Sequence, residues 1–459
     1  MRKPFLLLIL ALSSLLVIPE PTLQNGNGPE GFLNAGPSGS TDYPWSMFHY
    51  DQYRNGVTAA AGPSSPTLMW SYTTGNIVYP SPIVADGFVF IPSYDGTLYA
   101  LDEYTGSLIW SFATGGNVFG SPAVANGIVY VPSKNGYVYA LNEQTGSVVW
   151  RIANDNLTPV TSSPVVADGM VFYGTFESPS AGFSEVVALN AATGAVVWKY
   201  DVLSEYVEGA AAVSNGRVFI GVGVPNPAYV IALNETTGAS LWSYNTGLSA
   251  SISTAPAVAY GNVYVGLDST RLLALNEATG TLVWSFNTPG GSNATSPAVY
   301  NHAVYFGTGS GTVYSLNATT GGQIWMRTTG GAVTSSPAIA LGSNMIYVGS
   351  NDRYLYALNI ATGTVAWRYL TGGQVSSSPA VANNRVFFGS KDHRVYALGA
   401  IMPRLYDTIV SNSTSLFPGH NATLTITVRN STSPQSSANL TLTSSAGGLL
   451  SQPVLVGSG

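Results

Sequence analysis

The 459-residue sequence contains no cysteine. Disulfides, thiolate metal sites and cysteine nucleophiles are therefore excluded, as is lipid attachment through an N-terminal cysteine. Charge is scarce too: Asp, Glu, Lys and Arg make up 8% of the chain, against roughly 25% in ordinary soluble domains. With a net charge of −6 and no basic stripe, nucleic acid is not an expected partner. The four histidines, His49, His302, His393 and His420, have no metal-ligand spacing. His49, Asp51 and Arg54 share one short segment and are read as hydrogen-bonding ties to the rest of the fold. No segment carries a 3.6-residue apolar period long enough for a helix.

What is abundant is strand-forming and small. The chain is 45% hydrophobic, with 27 Tyr, 9 Trp and 51 Gly, and Ser, Thr and Asn supply most of its polarity. The start, "MRKPFLLLILALSSLLVI", is a basic stub followed by a short apolar run, the pattern of an export signal. Residues 1–25 are read as a signal peptide or N-terminal anchor, and residues 26–42, rich in Pro, Gly, Asn and Ser, as a linker.

One phrase recurs along the chain. "YALDEYTGSLIW" ends at Trp110 and "YALNEQTGSVVW" at Trp150. Eight tryptophans fall in register: Trp70, Trp110, Trp150, Trp198, Trp242, Trp284, Trp325 and Trp367, spaced 40, 40, 48, 44, 42, 41 and 42 residues apart. Each interval holds four short apolar runs separated by turn dipeptides such as Asn-Gly and Thr-Gly, which predicts four strands per repeat. Four strands every forty-odd residues is the pattern of a β-propeller blade. Innermost strands are predicted from Ser81, Ser121, Ser163, Ala211, Ala255, Ser296, Ser336 and Ser378, giving eight blades. The eighth lacks its own Trp strand, so the segment around Trp70 is expected to close the ring as that blade's outermost strand. The Trp fills the gap between blades, Asn or Asp makes the turn, and Gly permits positive φ.

The repeated Asn…Thr-Gly…Trp phrase resembles the tryptophan-docking motif of pyrroloquinoline quinone (PQQ) repeat propellers. This family includes quinoprotein alcohol dehydrogenases and the propeller lipoprotein of outer-membrane protein assembly. "WSMFHYDQYRNG", Trp45 to Gly56, resembles the opening segment found ahead of such repeats. The resemblance covers roughly residues 43–400 and implies fold more than activity. For the dehydrogenases it implies PQQ over the propeller axis, a calcium ion held by carboxylate and amide oxygens, an Asp base and often an adjacent-cysteine disulfide. This chain cannot supply the disulfide. Its axial strands offer mainly Ser and Thr, with Glu208 the only acid, whereas a hard cation needs several oxygens. The lipoprotein role is a poor fit without cysteine.

From residue 401 to 459 the pattern changes to alternating strands, "TLTITVRN" and "ANLTLTS". These resemble the start of a CARDB-type immunoglobulin-like module, cut short of the ~100 residues such a fold uses. Sequons at Asn412, Asn421, Asn430 and Asn439 are candidate glycan sites.

These readings describe an all-β protein: an eight-bladed propeller over residues 43–400, then a partial Ig-like β-sandwich. The expected role is that of a non-catalytic exported cell-surface or envelope protein. It would be a monomeric propeller that binds proteins or glycans without a cofactor or metal and meets a membrane only through a terminal anchor. The alternative is a PQQ-dependent quinoprotein dehydrogenase. Tyr79, Phe119 and Glu208 stand out on the face where the d–a and b–c connections open. The long connections of blades 3 and 4 add Phe176, Glu177, Phe183, Asn226 and Tyr229, because long loops on rigid scaffolds often carry recognition.

Overall fold

A computed structural model describes residues 44–176, 183–203, 206–223, 227–248, 251–268, 271–289 and 294–399, and the backbone of 405–411, 422–430, 433–444 and 454–456. The first blade is built from Ile83–Ala85, Phe88–Pro92, Thr97–Asp102 and Leu108–Ala113, here called strands a to d from axis to rim, each antiparallel to the next. Six more blades follow in the same order, and the eighth combines Ala380–Ala382, Arg385–Ser390 and Arg394–Gly399 with Leu68–Thr73. The outermost strand of the last blade therefore comes from upstream of the first, as the missing Trp strand predicts. This joint fastens the two ends of the repeat array together, and the ring leaves only short, protected strand edges.

Burial follows position. Strands a and b are almost wholly buried, whereas strand d exposes most of its residues. The blades pack face to face around the axis through Val, Ile, Phe and Tyr of strands b and c.

Each motif tryptophan joins its blade to the next. The indole Nε1 of Trp70, Trp110, Trp198 and Trp242 donates to the carbonyls of Glu103, Glu143, Glu235 and Glu277 at 2.8–3.0 Å. Trp150, Trp284 and Trp325 do the same to Ala191, Ala318 and Ile360. In all seven the acceptor lies in the c–d turn of the following blade, one residue after the motif Asn or Asp. That Asn or Asp side chain accepts from two backbone amides of its own turn, as Asn142 does from Gln144 and Thr145 at 3.1 and 3.0 Å. Glycine of the Thr-Gly pair has two reasons to be there. Gly106 has a φ of +70°, and a Cβ on it would lie 2.5 Å from the ring of Trp70.

The segment ahead of the repeats threads the inside of the ring. Backbone carbonyls of Trp45, Ser46, Gln52, Tyr53, Asn55 and Gly56 accept from the strand-a amides of Val84, Val124, Val213, Val258, Val299 and Ile339 at 2.7–2.9 Å. These are blades 1, 2, 4, 5, 6 and 7 in order. Val57–Thr58 then pairs in parallel with strand a of blade 7. Blade 3 is met by a side chain: Arg54 donates through Nη2 to Pro164 at 2.9 Å, through Nε to Ala211 of blade 4 at 2.9 Å, and through Nη1 to the carbonyl of Phe48. The guanidinium is fully buried, and carbonyl oxygens compensate the charge it carries into the interior. His49, Tyr50 and Arg54 take positive φ values of 57°, 79° and 57°, a conformation that costs on the order of 1 kcal/mol or more per residue. Bonds to successive blades hold them there.

Past the propeller, residues 405–411, 422–430, 433–444 and 454–456 form one antiparallel sheet in sequential order. An Ig-like sandwich packs two sheets together. The described residues of this region make up one sheet and do not test the expected sandwich. Asn430 and Asn439 lie in its strands. Asn412 and Asn421 lie outside the described residues, as do the N-terminal signal and linker.

Candidate functional site

Two layers of hydroxyls ring the axis. Backbone amides of Ser81, Ser121, Ser336 and Ser378 each donate to the Oγ of the next blade's serine: Ser121, Ser163, Ser378 and Ser81, at 2.9–3.0 Å. Ala255 is bonded likewise by Ser296. This is why the Ser-Pro pair opens strand a so often. Alanine takes the serine position in blades 4 and 5, at Ala210 and Ala255. One residue earlier, Ser162, Ser335 and Ser377 accept from the amides of Gly174, Gly349 and Gly389 at the end of strand b.

Above the serine belt a funnel of about 670 Å³ opens on the face of the d–a and b–c connections. Its walls are unequal. Blades 1 and 2 supply an aromatic arc, with Tyr94 centred 5.8 Å from Tyr79 and 4.2 Å from Phe119. Lys134 Nζ lies 3.8 Å from the centroid of Phe119 and Lys391 Nζ 5.8 Å from that of Tyr79, close enough for cation–π attraction. The other wall is acidic: Glu208 from the connection into blade 4, and Asp268 from the b–c turn of blade 5. Ser253 donates from Oγ to Asp268 at 2.8 Å and from its amide at 3.2 Å. Burial raises both carboxyls above the usual range. The charge of Asp268 raises Glu208 further while Lys134 opposes, and Ser253 lowers Asp268. Phe48 of the threading segment also lines the funnel, with the buried Arg54 5.7 Å from its ring centroid.

Of the residues singled out in the sequence, Tyr79, Phe119, Phe176 and Glu208 line this funnel. Phe176 stacks on Tyr206, centroids 4.8 Å apart. Tyr229 does not join them: it starts strand c of blade 4 and packs against the blade 3–4 core. Glu177 and Asn226, and the side chain of Phe183, fall outside the described residues. Sequence reasoning missed Tyr94, Lys134 and Asp268, all in b–c turns. Three other turn aspartates are structural. Asp95, Asp352 and Asp392 accept from the amides of Gly75, Gly330 and Gly372 and from the hydroxyls of Tyr99, Tyr356 and Tyr396.

The family model for the outer membrane protein assembly factor BamB matches residues 54–178, 182–339 and 309–401. The chain belongs to this family of PQQ-like repeat propellers. No curated protein matches the sequence. Among solved structures, BamB from Moraxella catarrhalis aligns with a TM-score of 0.60 and 20% identity, over 74% of this chain and 99% of that one. The quinohemoprotein alcohol dehydrogenase of Comamonas testosteroni aligns with a TM-score of 0.68 and 15% identity, covering 82% and 83%. A europium-containing methanol dehydrogenase gives 0.68 and 14%, covering 78% and 98%. At these identities the likeness is one of fold.

The funnel can therefore be tested for a metal-held quinone. Among the described residues no three of His, Asp and Glu converge as ion ligands. The two funnel acids sit on different blades, and Asp268 is already engaged by Ser253. A calcium ion takes six to eight oxygens, carboxylates prominent among them, and this donor set does not fit.

Proposed function

We propose that this protein is a non-catalytic, exported envelope or cell-surface propeller whose funnel binds a protein or glycan chain. The observation that carries this reading is the division of the funnel into an aromatic arc, Tyr79–Tyr94–Phe119, facing the acids Glu208 and Asp268. Aromatic faces offer large contact area at low entropic cost, and acids and hydroxyls across the cavity orient whatever stacks there. The serine belt and the threading segment make the scaffold rigid, so little ordering cost falls on binding. Membership of the BamB family supports an envelope setting and a scaffolding role. In this reading the sequons at Asn412, Asn421, Asn430 and Asn439 carry glycans after export.

The experiment is a binding screen of the full chain against envelope glycan fragments and extended peptides. Tyr79→Ala and Phe119→Ala should each weaken a bound ligand about tenfold or more while leaving the melting temperature unchanged. Binding that ignores both substitutions would remove the funnel from the account.

The second reading is a PQQ-dependent dehydrogenase, favoured by the fold match to two such enzymes. Its test is oxidation of alcohols or sugars by the full chain supplied with PQQ and calcium. Activity that is lost with Glu208→Gln or Asp268→Asn would establish it.

A further inference from the structure

At four blade junctions the residue whose carbonyl receives the tryptophan is glutamate: Glu103, Glu143, Glu235 and Glu277. All four are buried. Each side chain meets the first residue of the a–b turn in the preceding blade, on the face opposite the funnel. Two meet asparagine. Asn383 Nδ2 donates to both carboxylate oxygens of Glu103 at 3.1 and 3.2 Å, and Asn215 Nδ2 donates to Glu277 at 2.8 Å. The other two meet aspartate: Asp86 faces Glu143, and Asp168 faces Glu235.

The repeat supplies its own control. Asp86, Asp168, Asn215 and Asn383 have φ values of 46°, 45°, 49° and 49°, so the turn is the same and an oxygen replaces a nitrogen. Two residues on, the asparagine turns carry Arg217 and Arg385, and Arg385 pairs with Glu103 at 3.4 Å. The aspartate turns carry Phe88 and Met170 at that place. Glu143 and Glu235 each retain one buried carboxyl oxygen with no donor. Glu143 and Glu235 are buried while Asp86 and Asp168 are exposed, so a charged aspartate at the turn disfavours ionisation of the buried glutamate it faces.

We propose that the joints between blades 1 and 2 and between blades 3 and 4 are each closed by a proton shared across a carboxyl pair, Glu143 with Asp86 and Glu235 with Asp168. Losing that proton loosens both joints. The titratable group facing Glu143 is Asp86, and that facing Glu235 is Asp168. Burial first, then the facing aspartate, pushes each glutamate up to about 7 from an ordinary 4.5. A raised folded value means the stabilisation is complete below the ordinary value and is lost as pH rises through about 7.

The test uses the full chain and the double variant Asp86→Asn, Asp168→Asn, which copies the asparagine junctions. The variant should melt higher than wild type by about 4 °C at pH 8, and the gain should vanish at pH 5. An equal difference at both pH values, or a lower melting point at pH 8, overturns the proposal. Should the variant not fold, carboxyl-carbon NMR of the glutamate-labelled wild type decides. Glu143 and Glu235, assigned by Glu→Gln substitution, should titrate near neutral pH. Titration in the ordinary carboxylate range overturns it.

Discussion

The indole Nε1 of Trp367 donates to the carbonyl of Pro63 at 3.1 Å, across 304 residues of sequence. In every other junction the acceptor belongs to the c–d turn of the next blade. Blade 8 has no continuous c–d turn, because its strand c ends at Gly399 and its strand d begins at Leu68. Pro63 stands in the vacant place and also accepts from Tyr347 Oη at 3.1 Å. The Gly399 amide then donates to Thr67 at 2.9 Å. The break in the chain is thus bonded like the unbroken junctions. Trp367→Phe should therefore cost about as much as Trp198→Phe, each about 1–2 kcal/mol for one lost buried hydrogen bond. Urea denaturation of the two variants checks this, and a closure weaker than the other joints would show as a much smaller loss for Trp367.

Glycines of the repeat separate into two kinds by what lies beside them. Gly87 has a φ of +83° with nothing within 4 Å of where a Cβ would lie, whereas Gly106 has the ring of Trp70 against that place. Gly87→Ala should lose about 1–2 kcal/mol for the left-handed backbone alone. Gly106→Ala should lose a further 1–3 kcal/mol from overpacking. Melting temperatures of the two variants separate the terms.

Arg54 is the side chain that takes over where the threading backbone leaves blade 3 without a partner. Arg54→Met keeps the bulk and removes the donors to Pro164, Ala211 and Phe48. The expected loss is about 3–5 kcal/mol, because buried carbonyls are left without donors. Hydrogen exchange should show the strand-a amides of blades 3 and 4 opening first.

Two neighbours in the same segment pull pH dependence in opposite directions. Burial lowers His49 from 6.5 to about 3, and burial raises Asp51 from 3.8 to about 7. The unfolded chain protonates His49 first, so that contribution is present above 6.5 and lost as pH falls through about 3. Asp51 contributes fully below 3.8 and is lost as pH rises through about 7. Asp51→Asn should therefore raise the melting temperature at pH 8 relative to wild type and not at pH 4, since an amide oxygen can still cap Tyr53. His49→Gln should gain relative to wild type at pH 4 and not at pH 8.

The architecture was legible because it is written in side-chain types. Asn, Thr-Gly and Trp recur at fixed offsets, and the absence of a Trp strand for blade 8 after Trp367 pointed to Trp70 as the closing strand. The threading of residues 45–58 was not legible, because its bonds run through backbone carbonyls that any residue provides. Only Arg54 marks it, and one arginine in a short segment carries no distance information. The funnel was half legible. Tyr79, Phe119 and Glu208 stood out against the Ser/Thr background of the d–a connections. Asp268 and Lys134 lie in b–c turns, whose acids elsewhere cap glycine amides, and sequence alone does not tell the two uses apart. The carboxyl pairs were hidden for another reason: Asp-Gly and Asn-Gly are equivalent as turns and differ only when a neighbouring blade brings a glutamate against them.

The central claim is that the funnel is a binding site without a quinone cofactor. It is tested most directly by titrating the full chain with PQQ and calcium while following tryptophan fluorescence, beside the same titration with envelope glycan fragments and peptides. The account predicts a flat trace with PQQ and calcium, and saturable binding of a glycan or peptide that Tyr79→Ala weakens. Saturable quenching by micromolar PQQ that needs calcium and is lost with Glu208→Gln or Asp268→Asn would contradict it.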